Sequence, residues 1–194
     1  MIIQIGCLVL AYLLGSLSSA IIIAKLMHLP DPRLAGSKNA GATNMHRLYS
    51  KKHGKRPAIL TLLLDALKGV IAVGIAQLLG LDLFWQMFCG VSVIFGHIYP
   101  IFFGFKGGKG VATFLGVLLV FYYPSFLVFV VCWLIIAKVF KVSALSALIS
   151  CLIHLAVFIF IFDFDNSINW TLAFLSAILF YTHRQNIASM LSKK

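Results

Sequence analysis

The chain contains no glutamate, and its only acidic residues are Asp31, Asp65, Asp82, Asp163 and Asp165. That scarcity excludes a hydrolase built on paired carboxylates and a carboxylate-rich metal centre. The cysteines Cys7, Cys89, Cys132 and Cys151 stand singly in apolar runs, with no C-x-x-C pair. They read as buried, inert thiols, which excludes a zinc site or a disulfide framework. No Lys or Arg precedes Lys25. The apolar run before it is longer than the hydrophobic region of a signal peptide, so a retained first transmembrane helix is expected.

What is present is overwhelmingly apolar. Of 194 residues, 61% are hydrophobic and 11% charged, with a mean hydropathy of +1.02. A soluble domain cannot hide so much apolar surface, so an all-α, polytopic membrane protein is expected, with residues 1–194 forming a single domain. The net charge of +11 would suggest nucleic acid in a soluble protein. Spread over the loops of a membrane protein, it reads instead as orientation and attraction to anionic headgroups or substrates, with no nucleic acid partner.

The first span is expected from about Ile2 to Leu26, followed by a polar segment from Pro30 to Pro57. Apolar runs over Ala58–Leu79 and Leu83–Phe103 approach the ~20 residues needed to cross hydrocarbon. Val111–Ala137 is interrupted at Tyr122-Tyr123-Pro124-Ser125, and Val142–Phe162 and Ile168–Tyr181 complete the set. Fifteen of the sixteen Lys and Arg residues fall in segments 25–56, 106–109, 138–141 and 184–194, which leaves only Lys68 inside a span. The turns near Asp82, Tyr122–Ser125 and Asp163–Asn169 carry no Lys or Arg. The positive-inside rule therefore predicts seven spans with the N-terminus outside and the C-terminus cytoplasmic; five is the alternative. No fixed-period repeat is evident, which weakens a transporter built from repeats.

Chemistry-bearing residues cluster on the predicted cytoplasmic side, near 30–57, 104–113, 138–146 and 182–194. Gly104-Phe105-Lys106-Gly107-Gly108-Lys109-Gly110-Val111-Ala112-Thr113 combines close backbone approach, two cations and an apolar run that starts a helix. Free N–H groups, a helix dipole and ammonium groups together favour a phosphate; an ordinary basic turn is the alternative. The spacing differs from that of an NTPase loop. Ser37, Lys38, Asn39, Gly41, Thr43, Asn44 and Arg47 form a second polar stretch, in which a guanidinium fork, hydroxyls and N–H groups suit phosphate oxygens. Asp65 and Lys68 are spaced to pair within a span, as a pocket wall or a structural ion pair. His97 either orients the glycine loop or is structural. Ser143 and Ser146 share a helical face, with a ligand contact or back-bonding to the helix as the two readings for Ser146. His183 and Asn186, also three apart, are placed to grip a hydroxyl, or His183 is structural.

These segments, in order, resemble the small bacterial integral-membrane glycerol-3-phosphate acyltransferase family that uses acyl phosphate as donor. The resemblance rests on Gly36-Ser37 with Asn39, Gly41-Ala42-Thr43-Asn44 and Arg47; Asp65-x-x-Lys68-Gly69; and Gly96-His97 with Tyr99-Pro100. It continues through Gly107-Gly108-Lys109-Gly110-Val111-Ala112-Thr113, Ser143 with Ser146, and His183 with Asn186-Ile187. It implies seven helices in a bacterial inner membrane and an active site at the cytoplasmic face. The implied reaction transfers a fatty acyl group to the 1-hydroxyl of glycerol 3-phosphate, giving lysophosphatidic acid and phosphate. The resemblance also implies that Ser37, Arg47 and Lys109 hold the acceptor's phosphate, and that Ser146, His183 and Asn186 place its hydroxyls. Asn39, Gly41, Thr43 and Asn44, with Gly107, Gly108, Gly110 and Thr113 of the glycine loop, would cradle the acyl phosphate. At the C-terminus the chain departs from the family, with Ser189, Met190 and a Lys193-Lys194 tail where basic and acidic residues usually follow.

An acyl phosphate is already an activated anhydride, so positioning and charge stabilisation are needed more than a strong base. A chain without glutamate or a Ser-His-Asp arrangement meets that demand, and no acyl-enzyme, metal, cofactor or obligate protein partner is expected. The hydroxyl proton goes to His183 or to a phosphate oxygen of the substrate, the family favouring the latter. The rival class is a transporter of an anionic phosphate metabolite, against which stands the clustering of polar motifs at one face.

Overall fold

The computed structural model describes residues 1–161 and 166–192; Asp163, Asp165, Lys193 and Lys194, on which parts of the topology reading rest, lie outside them. The described residues form α1 (Ile2–Gly15), α2 (Ser19–Leu26), α3 (Ala42–His53), α4 (Arg56–Leu78) and α5 (Leu83–Ile98). After a 3-10 turn at Ile101–Phe103 come α6 (Val111–Phe121), α7 (Tyr123–Phe140), α8 (Ser143–Ile161), α9 (Asn166–Thr182) and α10 (Arg184–Leu191). No strand occurs among the described residues. The chain divides into two compact units, Met1–Val120 and Phe121–Lys194.

Among the described residues four helical stretches are long and apolar enough to cross a bilayer: Arg56–Leu78, Leu83–Phe103, Tyr123–Phe140 and Ser143–Phe160. The expected first span is a broken pair, α1 and α2, bent by 45°; counted as one span it makes five. The apolar helices Val111–Phe121 and Trp170–Thr182 are shorter. The interruption expected at Pro124 separates α6 from α7. Proline has no N–H to donate to the carbonyl four residues earlier, so α6 stops and Pro124 sits in the first turn of α7, where that loss is harmless.

The polar segment Pro30–Pro57, expected as loop, contains the twelve-residue α3. Its apolar stripe is only Met45, Leu48 and Tyr49, an i, i+3, i+4 set too short to stand out among glycines and amides. Met45 and Tyr49 pack with Ala20, Ile21, Ile23 and Ala24 of α2 and Ala58 of α4. Gly54, with φ +67°, closes the helix in a left-handed conformation that glycine adopts without strain.

In the first unit α1 packs on α5 with their backbones in contact, because Gly15 and Gly96 face each other. A Cβ on Gly96 would collide with the Tyr12 carbonyl, and one on Gly15 with that of Val93. Small residues permit such close crossings in lipid, where dispersion contacts drive helix association. The break between α1 and α2 is tied to α4. Lys68 Nζ donates to the carbonyls of Gly15 and Leu17, both at 3.2 Å, and lies 2.9 Å from Asp65 Oδ1. The Asp65–Lys68 pair is thus a structural ion pair that also caps the C-terminal end of α1, where a cation suits the helix dipole.

In the second unit α8 packs on α7 and α9. The fully buried His154 of α8 has its Nε2 hydrogen-bonded with Ser125 Oγ of α7 and its ring beside Phe129 and Phe158. All four cysteines are free thiols; Cys7, Cys89 and Cys151 are buried as expected, whereas Cys132 is only partly so.

Gly96→Val is expected to cost about 1–3 kcal/mol through overpacking of the α1–α5 crossing. Gly74→Ala, at a helical glycine with open space around it, should be neutral or slightly stabilising. Thermal unfolding of the purified protein in detergent compares the two; equal midpoints would remove the close crossing as a stability determinant.

Candidate active site

Two polar segments meet in the first unit, and each is shaped from beneath by a buried side chain. The segment between α2 and α3 is organised by Asn44, which has no solvent exposure. Its Nδ2 donates to Pro32 O at 2.8 Å and Ala35 O at 3.2 Å, and its Oδ1 accepts from Ser37 N at 2.9 Å. Gly36, at φ +63°, passes so close to Asn44 Oδ1 that a Cβ would displace it. Asn44, read from sequence among the ligand-cradling residues, therefore directs its amide at its own loop. The loop leaves Ser37 exposed, one residue before Lys38 in a left-handed turn at φ +55°.

Sequence reasoning missed two further anchors. Arg33 grips Asp31 bidentately, 2.7 Å between Nη2 and Oδ2, while its Nη1 donates to Phe103 O at 2.8 Å. Tyr49 Oη donates to Pro30 O at 2.6 Å. The Arg33 hydrogen bonds hold the Asp31 carboxyl below its ordinary range, and burial with the nearby Asp31 charge pushes the Tyr49 phenol up. The Asp-x-Arg spacing after Pro30 was the available signal.

The glycine loop is laid against the end of α5. Phe105 N donates to Pro100 O at 2.9 Å, Gly107 N to Ile98 O at 3.1 Å and Gly108 N to His97 O at 3.1 Å. A Cβ on Gly108 would fall on the His97 ring at Nε2 and on the Ala40 carbonyl. Only glycine fits between them, so the two polar segments adjoin at Gly108 and Ala40. On its other side His97 faces the buried ion pair, its Nδ1 3.6 Å from Asp65 Oδ1, too far for a direct hydrogen bond. The loop-orienting role for His97 thus has a geometric basis.

Lys109 ends the loop half-buried, and Arg47 projects from the exposed side of α3. Burial, together with the charge of Arg47, brings the Lys109 ammonium down to about 8. No acidic residue lies anywhere between Leu34 and Leu64. Thr113, in the first turn of α6, is fully buried with a hydroxyl that has no hydrogen-bond partner. Asn39, Gly41 and Thr43 border the loop; Gly41 N donates to Asn39 O at 3.0 Å.

Ser146, His183 and Asn186 belong to the second unit. Ser146, fully buried near the start of α8, donates its hydroxyl to Val142 O at 2.9 Å, the back-bonded arrangement. His183 is buried between α9 and α10, with Nδ1 2.8 Å from Leu179 O. A carbonyl only accepts, so Nδ1 carries a proton and donates to it. Asn186 lies in the first turn of α10; beside it Arg184 stacks on the Tyr181 ring, 4.3 Å from the centroid. Among the described residues no group of His, Cys or Asp side chains is arranged to hold a metal.

A family model described as glycerol-3-phosphate acyltransferase matches residues 5–193. The glycerol-3-phosphate acyltransferase of Ruthia magnifica subsp. Calyptogena magnifica is 43% identical over 187 residues, covering 96% of this chain and 92% of that one. That of Hydrogenovibrio crunogenus is 47% identical, with 93% and 85% covered. The crystal structure of PlsY (YgiH), an integral membrane glycerol 3-phosphate acyltransferase in its glycerol 3-phosphate form, superposes with a TM-score of 0.89 at 36% identity. That match covers 97% of this chain and 92% of the other, and the lysophosphatidic acid form matches with a TM-score of 0.87.

Asn44→Ala strands two carbonyls and one N–H, so a cost of about 1–3 kcal/mol is expected. Asn44→Asp keeps the size but sets a carboxylate against two carbonyls and should cost at least as much. Limited proteolysis at residues 31–41 reads the loop directly; wild-type protection in both variants would refute its organisation by Asn44.

Proposed function

The chain belongs to the glycerol-3-phosphate acyltransferase family and is an integral membrane enzyme of that kind; from this we propose the following reaction and site. A fatty acyl group passes from acyl phosphate to the 1-hydroxyl of glycerol 3-phosphate, giving lysophosphatidic acid and inorganic phosphate. What supports the site is the placing of Arg47 and Lys109 in the two polar segments that adjoin at Gly108 and Ala40, with the charge of Arg47 felt at the Lys109 ammonium. A phosphate monoester, dianionic near neutral pH, suits two cations so placed.

Ser37, Arg47 and Lys109 hold the acceptor's phosphate. Ser146, His183 and Asn186 place its hydroxyls. Asn39, Gly41, Thr43, Asn44, Gly107, Gly108, Gly110 and Thr113 cradle the acyl phosphate, Asn44 also setting the shape of its loop. The buried hydroxyl of Thr113 is a donor available to a phosphate oxygen at the start of α6. The hydroxyl oxygen attacks the acyl carbon, the new ester C–O bond forms, and the bond from that carbon to the phosphate oxygen breaks. Phosphate leaves with the electron pair, and the hydroxyl proton ends on a phosphate oxygen. Neither an acyl-enzyme nor a metal or cofactor enters.

We place residues 1–194 in one membrane domain of seven spans, with the N-terminus outside and the C-terminus in the cytoplasm of a bacterium. The short apolar helices α6 and α9 supply the two further spans. The active-site loops face the cytoplasm, and the acyl chain lies in the bilayer. No obligate protein partner is needed.

Phosphate release by purified protein in lipid, with acyl phosphate present and glycerol 3-phosphate supplied or withheld, tests the reading. Release should require the acceptor and yield lysophosphatidic acid, with Arg47→Ala and Lys109→Ala each lowering turnover about 10²–10³-fold. Well-folded protein with no release would defeat the assignment. His183→Gln should lower turnover while leaving some activity, and full turnover would remove His183 from the hydroxyl site.

The pH dependence follows from Lys109. Its ammonium is charged below about 8 in the free enzyme and loses its proton above that value. A bound dianion favours the charged form, so KM for glycerol 3-phosphate should rise as pH climbs past about 8. Lys109→Arg, which stays charged, should flatten that rise; an identical profile in both proteins would assign the titration elsewhere.

A further inference from the structure

The C-terminal end of α3 and the start of α4 carry four exposed cations, Lys51, Lys52, Lys55 and Arg56, within six residues. We propose that they form a docking patch for anionic phospholipid headgroups, which fastens the end of α3 to the bilayer surface. No acidic side chain lies between Leu34 and Leu64, so the stretch that carries the patch brings no counter-charge of its own. Its location selects the partner. Arg56 is the first residue of the span Arg56–Leu78, so the cations stand where hydrocarbon gives way to headgroup phosphates. Helix stability does not explain Lys55 and Arg56, because the N-terminal end of α4 is the positive end of its dipole and disfavours cations. The inner face of α3 is already occupied, with Met45 and Tyr49 packed on α2 and α4, which leaves the charged side outward.

The patch has a consequence for the site. Lys51 lies one turn beyond Arg47 on α3, so headgroups that hold the end of this helix also steady Arg47. That consequence for turnover rests on the acyltransferase reading; headgroup binding does not, and it is tested without turnover.

The experiment is thermal unfolding of the full-length protein in neutral detergent, titrated with phosphatidylglycerol or phosphatidylcholine. Phosphatidylglycerol alone should raise the midpoint, and the effect should shrink with added salt. Each cation removed should weaken the apparent affinity about fivefold, so Lys51→Gln/Lys52→Gln should lose about 25-fold and the triple variant with Lys55→Gln about a hundredfold. Lys138→Gln/Lys141→Gln, which removes two exposed cations at the end of the span Tyr123–Phe140 but leaves the cluster of four intact, should lose less than the Lys51→Gln/Lys52→Gln pair. Equal responses to the two lipids, or equal losses in the two double variants, would overturn the proposal. So would a triple variant that keeps its phosphatidylglycerol response but loses stabilisation by glycerol 3-phosphate or inorganic phosphate, because the patch would then serve the soluble substrate.

Discussion

The Lys68 ammonium lies where three polar groups of the first unit meet in an apolar interior: the Asp65 carboxylate of α4 and the carbonyls of Gly15 and Leu17 at the break in the first span. A buried ion pair alone roughly breaks even, because desolvation cancels most of the Coulomb attraction. Here the ammonium also meets carbonyls that lipid cannot hydrogen-bond, and each such group left alone costs several kcal/mol. The bend is therefore stable only with Lys68 in place. The same carboxylate faces His97, whose ring and carbonyl abut Gly108, so the glycine loop rests on a chain of contacts that begins at the broken helix.

Above that chain the electrostatic balance reverses. Asp65 is matched by Lys68 and Asp31 by Arg33. At the glycine loop the Lys109 ammonium feels burial and the like charge of Arg47, both of which disfavour its charged form. On the proposed reading, a phosphate dianion bound by both would offset that effect.

Much of this was legible in the residues. The interruption at Pro124 follows from a missing N–H, and the Asp65–Lys68 pair from spacing inside an apolar run. The meeting of the 36–47 segment with the glycine loop was suggested only by shared chemistry; the contact of Gly108 with Ala40 supplies its geometry. What escaped has a common cause, in that the partners lie far apart in sequence. The bend at Ser16–Ser18 is hidden in a continuous apolar run, and the side chain that satisfies it comes about fifty residues later. Helix α3 has three apolar residues, enough to dock on α2 and α4 but not enough to announce a period. The family resemblance names Asn44 for the acyl phosphate; that its buried amide also holds Pro32, Ala35 and Ser37 is something no local pattern reveals.

The bend in the first span also sets an order of assembly. Residues 2–26 leave the ribosome well before residue 68, so the nascent first span enters the bilayer without the ammonium that its Gly15 and Leu17 carbonyls meet in the folded protein. Its final angle belongs to a later intermediate, one in which α4 has been inserted and laid against it. Biogenesis of this half of the protein is therefore sequential, with the earliest helix to be translated among the last to reach its mature shape.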